Sequence, residues 1–204
     1  MTPKQLSIPS GLVIEGIQAK LDGLFSRWYD LYDAVPVPRD DTLRSEEIAL
    51  CIMMNSRMSG NTGLAVWERR EDIERGLRLI PADADLAAVL VPWEGVQALF
   101  DPFQSIPRAK LGVATKILHK KRPGLIPMLD TLLVGHYHPR LAKTRARTLG
   151  GYAVNLMKLF REDLLAVFPE VTALCSIASE RQKPVTPVRM LDHMGWSALV
   201  ERQP

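Results

Sequence analysis

The residues best placed to do chemistry lie between positions 105 and 150, where basic side chains surround one acid. Ten lysines and arginines fall in this stretch against a single carboxylate, Asp130, so it carries a net charge of +9 while the rest of the chain carries −6. Cations at this density, without interleaved acids, indicate an anionic partner. A carboxylate among them stays ionised, and it can stabilise a developing positive charge or activate water.

Asp130 has a second interpretation, which its spacing favours. The run Ile126-Pro-Met-Leu-Asp130-Thr is an apolar stretch that leads into a helix start. An aspartate at that position accepts backbone N–H bonds as the helix N-cap, which stabilises the helix by about 1 kcal/mol. One carboxylate can serve both purposes, so Asp130 is the predicted catalytic residue as well as a predicted cap.

Basic residues four positions apart occur twice in the same segment, at Lys116 and Lys120 and again at Lys143 and Arg147. Like charges at this spacing share a helix face and cost an isolated helix roughly 0.2–0.5 kcal/mol. Counterion release on a phosphate-facing surface offsets more than that, although a solubilising face would carry the same pattern. The predicted anion-binding residues are Arg108, Lys110, Lys116, Lys120, Lys121, Arg122, Lys143, Arg145 and Arg147, and the expected partner is DNA or another polyanion.

The histidines do not predict a metal site. A His-x-His pair such as His136 and His138 splays its two rings apart on a helix, and neither this pair nor His119 has an acidic residue nearby in the sequence. Zinc sites need converging ligands. The sequence therefore predicts no metal and no cofactor.

Two aromatic residues and one ion pair have competing interpretations. Tyr137 and Tyr152 could stack on a flipped base, as base-acting enzymes require, or simply fill the core. Arg189 and Asp192 predict an internal ion pair that fixes the last helix, with a second carboxylate close to Asp130 as the functional alternative. The four tryptophans are assigned to the core: Trp28, Trp67, Trp93 and Trp196.

The elements that must position these residues are predicted to be helical almost throughout. Apolar spacings of three and four predict an amphipathic helix over residues 11–33. A turn is predicted over residues 60–63, with a helix after it to residue 79. Further helices are predicted over residues 40–56, 108–121, 130–138, 152–168, 170–179 and 186–201. No segment shows strand alternation. The predicted fold is an all-α, compact multi-helix domain of residues 11–204, in one or two lobes, behind a flexible N-terminus of residues 1–10.

Length and composition exclude several classes of protein. A chain of 204 residues with 47% apolar and 24% charged residues is typical of a globular domain that needs no disulfides. No run of 18 apolar residues exists, so no membrane helix and no membrane partner are predicted. The N-terminal run MTPKQLSIPS lacks the layout of a signal peptide, which favours a cytoplasmic location.

Two runs resemble the signatures of an uncharacterised family of domains. Lys116-Ile-Leu-His-Lys-Lys-Arg-Pro-Gly-Leu-Ile-Pro-Met-Leu-Asp130 is similar to a K-L-L-x-x-K-R-P-x-L-I-P-x-x-D pattern, and residues 186–196 are similar to a C-terminal L-R-x-L-D-x-x-x-W pattern. Residues 45–86 also follow that family. The resemblance covers about residues 40–198 and implies membership, but it brings no established activity.

The same segment distantly resembles helix-hairpin-helix base-excision DNA glycosylases. In those enzymes a Gly-Val-Gly-x-x-Thr-Ala hairpin holds a phosphate and precedes a Val-Asp-Thr catalytic motif. When the alanine of the hairpin motif is aligned with Ala114, Asp130 falls at the position of the catalytic aspartate. The hairpin glycines fall at Arg108 and Lys110, and the lysine nucleophile of the bifunctional enzymes falls at Gly112. The resemblance implies a glycosylase-like fold, hydrolysis by Asp130 without a Schiff base, and phosphate contacts made by side chains.

Three functions remain open at this point. The leading one is a nucleic-acid-binding protein with a DNA-glycosylase-like fold, a monofunctional hydrolase of an N-glycosidic bond that uses Asp130. The first alternative is a small-molecule enzyme that acts on a nucleotide-like or phosphorylated anion in a pocket around the same residue. The second is a non-catalytic interaction module with an acidic partner. The salt dependence of binding separates the three functions. For duplex DNA, the logarithm of the binding constant should fall with the logarithm of the salt concentration by about 0.9 for each phosphate contacted, whereas a small ligand in a pocket should give a shallower slope.

Overall fold

Helices account for most of the chain, which confirms the prediction of a mainly helical fold. The computed structural model describes residues 3–54, 58–141 and 146–203, and the side chains of these residues except 27–30 and 53. Within these ranges the helices are α1 (Ile17–Gly23), α2 (Arg27–Ala34), α3 (Ser45–Met53), α4 (Gly60–Glu68), α5 (Arg70–Leu77), α6 (Trp93–Phe100), α7 (Leu111–Leu118), α8 (Thr131–Leu141), α9 (Leu149–Ala166), α10 (Phe168–Glu180) and α11 (Pro187–Val200). A 3₁₀ turn, Asp101–Ser105, follows α6.

The N-terminal region differs from its prediction. Within the described residues, strand β1 (Gln5–Ser7) pairs antiparallel with β2 (Val13–Glu15), where the sequence predicted part of a flexible segment (1–10) and a helix from residue 11. Gly11 and Gly16 have φ values of 89° and 61°, and glycine adopts this left-handed conformation without steric cost. The prediction treated residues 11–33 as one continuous helix. In the structure, Gly11 lies in the turn between the two strands, and Gly16 is the N-cap of α1.

The predicted turn over residues 60–63 is also wrong. The Ser59 side chain accepts the Thr62 N–H at 3.2 Å and caps α4, which begins at Gly60. The stabilisation from a serine N-cap outweighs the low helix propensity of two glycines in the first turns. The chain then breaks at Arg69, so the single helix predicted up to residue 79 is two helices.

The longest helix, α9, organises the core. Its residues Leu156, Phe160 and Leu164 are buried, as their four-residue spacing predicts. Helix α6 packs against α5 on one side and α9 on the other, α3 packs against α7, and α11 packs against α1, α8 and α10. Helix α7, which carries Lys116, is thereby held against α3, and α8, which begins directly after Asp130, is held against α9 and α11.

Close packing of α5 against α6 gives a stability prediction. A Cβ on Gly76 would lie 2.5 Å from Leu99 Cα, whereas a Cβ on Gly135, in α8, meets no atom within 4 Å. Gly76→Ala should therefore lower the free energy of unfolding by about 1–3 kcal/mol through overpacking. The matched Gly135→Ala variant should raise it by up to about 1 kcal/mol through helix propensity. Urea unfolding followed by circular dichroism measures both, and equal effects would contradict close packing of Gly76 against Leu99.

Candidate nucleic-acid interface and active-site pocket

A tight turn joins the 3₁₀ segment to α7. The Ala109 N–H donates to Ile106 O at 3.2 Å, with Pro107 at the second position of the turn. Arg108 occupies the third position with φ 65°, a left-handed conformation that non-glycine residues rarely adopt. We call residues 106–109 the hairpin turn. Its backbone has the conformation for which glycine is the usual residue, although the sequence supplies an arginine.

Three exposed cations surround an open depression of about 500 Å³ beside the hairpin turn. Arg108 and Lys110 come from the turn and the start of α7, and Arg147 comes from the residues before α9. None of the three makes a hydrogen bond or ion pair with another residue in the described ranges. Arg108, Lys110 and Arg147 thus form a small basic surface, which we call the hairpin surface. Lys143 and Arg145 lie outside the described residues.

The α9 N-terminus next to this surface is already capped by protein groups. Thr148 Oγ1 accepts the Gly151 N–H at 3.1 Å, and Asp101 Oδ1 accepts the Gly150 N–H at 2.9 Å. Gln104 Oε1 accepts the N–H of the first helical residue at 3.0 Å. An anion at the hairpin surface would therefore meet side-chain cations and the start of α7, not the amides of α9.

The lysines predicted to face phosphate from α7 instead bind backbone carbonyls. Lys116 Nζ donates to Met54 O at 2.9 Å. Lys120 Nζ donates to Asp33 O at 3.0 Å and to Val35 O at 2.9 Å. Both side chains are half-buried, and burial lowers the pKa of each. Lys116 and Lys120 therefore do not form the exposed basic stripe that their spacing predicted.

The next two basic residues are fully buried, which corrects their assignment to an anion-binding surface. Lys121 and Arg122 have side-chain exposures of 0%. Lys121 forms ion pairs with buried Glu47 and with Asp40, and Arg122 pairs with Asp41 at 2.5 Å. Arg122 also donates to the backbone carbonyls of Arg39, Asp40, Leu77, Ile80 and Lys121. These two residues hold the connector between α2 and α3 and are out of reach of a polyanion.

Asp130 caps α8, as its spacing predicts. Its Oδ1 accepts the N–H groups of Leu132 and Leu133 at 2.9 and 3.0 Å. Its Oδ2 receives no hydrogen bond from any residue in the described ranges. One carboxylate oxygen therefore serves the cap, and the other remains available to a ligand.

Side chains from α7 and α11 fix the extended segment that leads to Asp130. Thr115 Oγ1 accepts the Leu129 N–H at 3.1 Å, and Asp192 Oδ2 accepts the Met128 N–H at 3.0 Å. His119 Nδ1 donates to the carbonyl of Ile126 at 2.6 Å. Burial lowers the pKa of His119 to about 4, with the charge of Arg189 acting in the same direction, so this imidazole is neutral at physiological pH. Three backbone groups of the segment are thus held by buried side chains.

The predicted ion pair between Arg189 and Asp192 is present and buried, with Nη1 and Oδ1 2.5 Å apart. Arg189 Nε also lies 3.4 Å from Asp33 Oδ1. Burial raises the pKa of Asp192, although Arg189 acts against it. Because Asp192 also accepts the Met128 N–H, it connects the C-terminal signature to the segment before Asp130. The predicted internal ion pair is therefore confirmed, and Asp192 lines the same pocket as Asp130.

These residues surround a pocket of about 170 Å³, which we call the Asp130 pocket. Its polar lining comes from Asp130, Lys116, Arg189, Asp192 and His193, and its apolar lining from Met54, Met128 and Trp196. The sequence assigned Trp196 to the core and the lysine to an exposed helix face. No sequence signal placed them together, because the pocket joins α11 to α7 and α8 across the fold.

The remaining candidates do not contribute to this pocket. Tyr137 is buried and donates to Asp163 Oδ2 at 2.7 Å, which fits its assignment to the core. His136 Nε2 lies 2.9 Å from Ser10 Oγ, and His138 is exposed. In the described parts of the chain, no three His, Cys, Asp or Glu side chains are grouped as a metal ion would require.

Together, fold and site define a mainly helical protein in which a hairpin turn and the helix after it lie against a carboxylate-bearing pocket. The chain belongs to a family of unknown function, DUF6308, whose sequence model matches residues 21–199. This confirms the prediction of an uncharacterised family. Comparison with curated proteins finds no match, and comparison with solved structures finds none either. No helix in the described ranges is long and apolar enough to cross a membrane.

Proposed function

We propose that this protein binds DNA through the hairpin surface and hydrolyses an N-glycosidic bond in the Asp130 pocket, on a helix-hairpin-helix glycosylase-like fold. One observation carries the proposal. A Cβ on Gly112, in the first turn of α7, would lie 3.6 Å from Asp130 Cα. The helix that follows the hairpin turn therefore packs directly on the residue that the resemblance assigns to catalysis. A phosphate held at the turn and a nucleotide at Asp130 would belong to one strand.

The available oxygen of Asp130 suits the chemistry. As the bond between sugar and base breaks, positive charge develops at C1′ of the sugar, and a nearby carboxylate stabilises that charge. The same oxygen can accept a proton from the attacking water. Gly112 stands where a bifunctional enzyme has its lysine, and a Cβ there would already lie 3.2 Å from Leu129 O. This position therefore supplies no amine nucleophile, which supports hydrolysis.

The size of the pocket favours a flipped base over a free nucleotide. Small-molecule sites usually begin at roughly 300 Å³, whereas the Asp130 pocket measures about 170 Å³. A volume of this size suits a single ring system whose sugar and phosphate stay outside the pocket. Base-acting enzymes take the base out of the stack into such a pocket and leave the backbone outside. Trp196 in the wall offers an aromatic contact for a base.

The experiment that tests DNA binding is a salt titration of fluorescence anisotropy with duplex, single-stranded and abasic-site DNA. Arg108→Gly and Arg147→Met should each reduce the log–log salt slope by about 0.9, because each removes one phosphate contact. Glycine suits the φ of 65° at position 108, so this variant removes the charge while it preserves the turn. A preference for abasic-site DNA over intact duplex would support the pocket assignment.

Lys4→Met is the matched control, since it removes one exposed charge far from the hairpin surface. Lys4 precedes β1, and the hairpin of β1 and β2 contacts Asp163 near the end of α9 opposite to Arg147. Its salt slope should equal that of the wild type. If all three variants behave alike, the hairpin surface is not the binding site; if the wild type does not bind DNA at low salt, the proposed function is wrong.

A further inference from the structure

Lys116 lines the Asp130 pocket and has N–H donors that no described residue accepts. An ammonium group has three N–H donors, and within the described ranges Lys116 makes one hydrogen bond, to Met54 O. Lys116 stands one helical turn after Gly112, so the two share the face of α7 that packs on Asp130. Lys116 and Asp130 thus place an ammonium and a carboxylate oxygen, both with capacity for a ligand, in one pocket.

The other ionisable groups of the pocket are poor proton donors. Burial raises the pKa of Asp192, but the buried ion pair with Arg189 and the Met128 N–H engage both of its oxygens, so the carboxylate stays ionised and holds no proton for a ligand. Arginine does not lose its proton in proteins. His193 Nε2 lies 2.8 Å from Lys20 O, and burial lowers its pKa to about 4, so it carries no acidic proton near pH 7.

We propose that Lys116 is a catalytic residue that donates a proton to the leaving base, which makes neutral bases with an acceptor atom the preferred substrate class. This inference rests on the proposed function and adds the second half of the reaction. Asp130 stabilises the sugar, and Lys116 stabilises the group that departs. Lys116 therefore contacts the base inside the pocket instead of phosphate outside it.

One turnover hydrolyses one N-glycosidic bond with one water molecule. The bond between C1′ and the base nitrogen breaks, its electron pair stays with the base, and the base takes a proton from the Lys116 ammonium. The oxygen of a water molecule bonds to C1′, and Asp130 accepts the proton that this water loses. Exchange through water returns that proton from Asp130 to the Lys116 amine. The net change consumes one water and yields the free base and a sugar hydroxyl.

The electrostatics of Lys116 fit this role. Burial lowers its pKa, and the charge of Asp130 acts in the opposite direction. A lowered pKa makes the ammonium a stronger acid, and general acids are most effective when their pKa approaches the working pH. Asp130 keeps the proton on the amine until a base enters the pocket.

The test compares two leaving groups in matched duplexes, one with hypoxanthine and one with N7-methylguanine. Hypoxanthine is neutral and needs a proton to leave, whereas N7-methylguanine is already cationic. Lys116→Met should slow hypoxanthine release by at least about 100-fold and change N7-methylguanine release by less than about threefold, since a general acid matters only where a proton is transferred. Asp130→Asn should slow both.

Lys120→Met is the matched control. This lysine is half-buried like Lys116 and also binds backbone carbonyls, but it lines a different cavity, beside Asp33 and His119. It should leave the ratio of the two release rates unchanged. Equal losses on both bases in Lys116→Met, or no loss on hypoxanthine, would overturn the role of Lys116 and leave the proposed hydrolysis in place.

Release of neither base by the wild type would count against the proposed function, and a binding measurement then decides on Lys116 separately. Free hypoxanthine is titrated into protein with ¹³C-labelled lysines while the side-chain resonances are followed. A shift of the resonance that is missing in Lys116→Met would support contact between this residue and the base. Shifts elsewhere only, or none, would overturn it.

Discussion

Asp130→Asn is expected to abolish base release while the fold and the binding of DNA stay intact. The side-chain oxygen of asparagine can still accept the N–H groups of Leu132 and Leu133, so the cap on α8 is kept. What disappears is the negative charge at Oδ2, the oxygen to which no described residue donates a hydrogen bond. Loss of a positioned charge and base should slow release by at least about 100-fold. Alkaline cleavage of end-labelled duplex at the released sites measures the rate.

Asp130→Ala separates the two roles of this residue. It removes the charge and the cap together, so it should lose activity and also about 1 kcal/mol of unfolding free energy. Asp130→Asn should unfold at nearly the wild-type urea concentration and retain the wild-type salt slope. Two results together would show that Asp130 is only a cap. Asp130→Asn would be as unstable as Asp130→Ala, and its activity would fall only as far as the fraction of folded protein falls.

Local signals predicted the parts of the site that are close in sequence. The apolar run before Asp130 indicated a helix cap, and the three-residue spacing of Arg189 and Asp192 indicated an ion pair; both are present. The Asp130 pocket was beyond such reasoning. Helix α11 lies about 60 residues after the segment it supports, and only the folded chain brings Trp196 beside Asp130.

The prediction that the basic residues between 105 and 150 face an anionic partner was largely wrong, because a count of charges does not show which groups a cation binds. Lysine and arginine donate to neutral carbonyls as well as to phosphate, and the proline-containing connector between α2 and α3 offers carbonyls that no helix or strand occupies. Lys120 binds the Val35 carbonyl of this connector as well as the Asp33 carbonyl in the last turn of α2, and Arg122 binds two further connector carbonyls. The segment still has a net charge of +9, but much of that charge is internal. Only Arg108, Lys110 and Arg147 are exposed and without partners among the predicted cations that the structure describes.

Arg122→Leu is expected to be the most destabilising substitution in this run. Its guanidinium, with no exposed surface, makes six hydrogen bonds, including those to Asp41, Leu77 and Ile80. Leucine would remove all of them and leave buried carbonyls without a donor. Removal of one partner from a buried ionic network typically costs about 3–5 kcal/mol, a large share of the roughly 5–15 kcal/mol that holds a domain folded.

Two further variants keep this prediction testable if Arg122→Leu fails to fold. Asp41→Ala removes only the half-exposed partner of Arg122 and should cost about 1–2 kcal/mol, because the carbonyl bonds remain. Arg147→Leu removes an arginine from the hairpin surface and should change stability by less than about 0.5 kcal/mol. Urea unfolding should therefore rank Arg122→Leu as the least stable, then Asp41→Ala, then Arg147→Leu.

DNA binding should follow the opposite order, since the two arginines differ in what they contact. Arg147→Leu should lower the salt slope of DNA binding by about 0.9. Asp41→Ala should leave that slope unchanged when it is measured on the folded fraction of the protein. If Asp41→Ala instead tightens DNA binding and steepens the salt slope, the guanidinium of Arg122, released from its carboxylate, reaches phosphate after all. An unchanged slope would support the interpretation that the basic run is an internal clasp on the α2–α3 connector, which positions α7 against Asp130 instead of contacting nucleic acid.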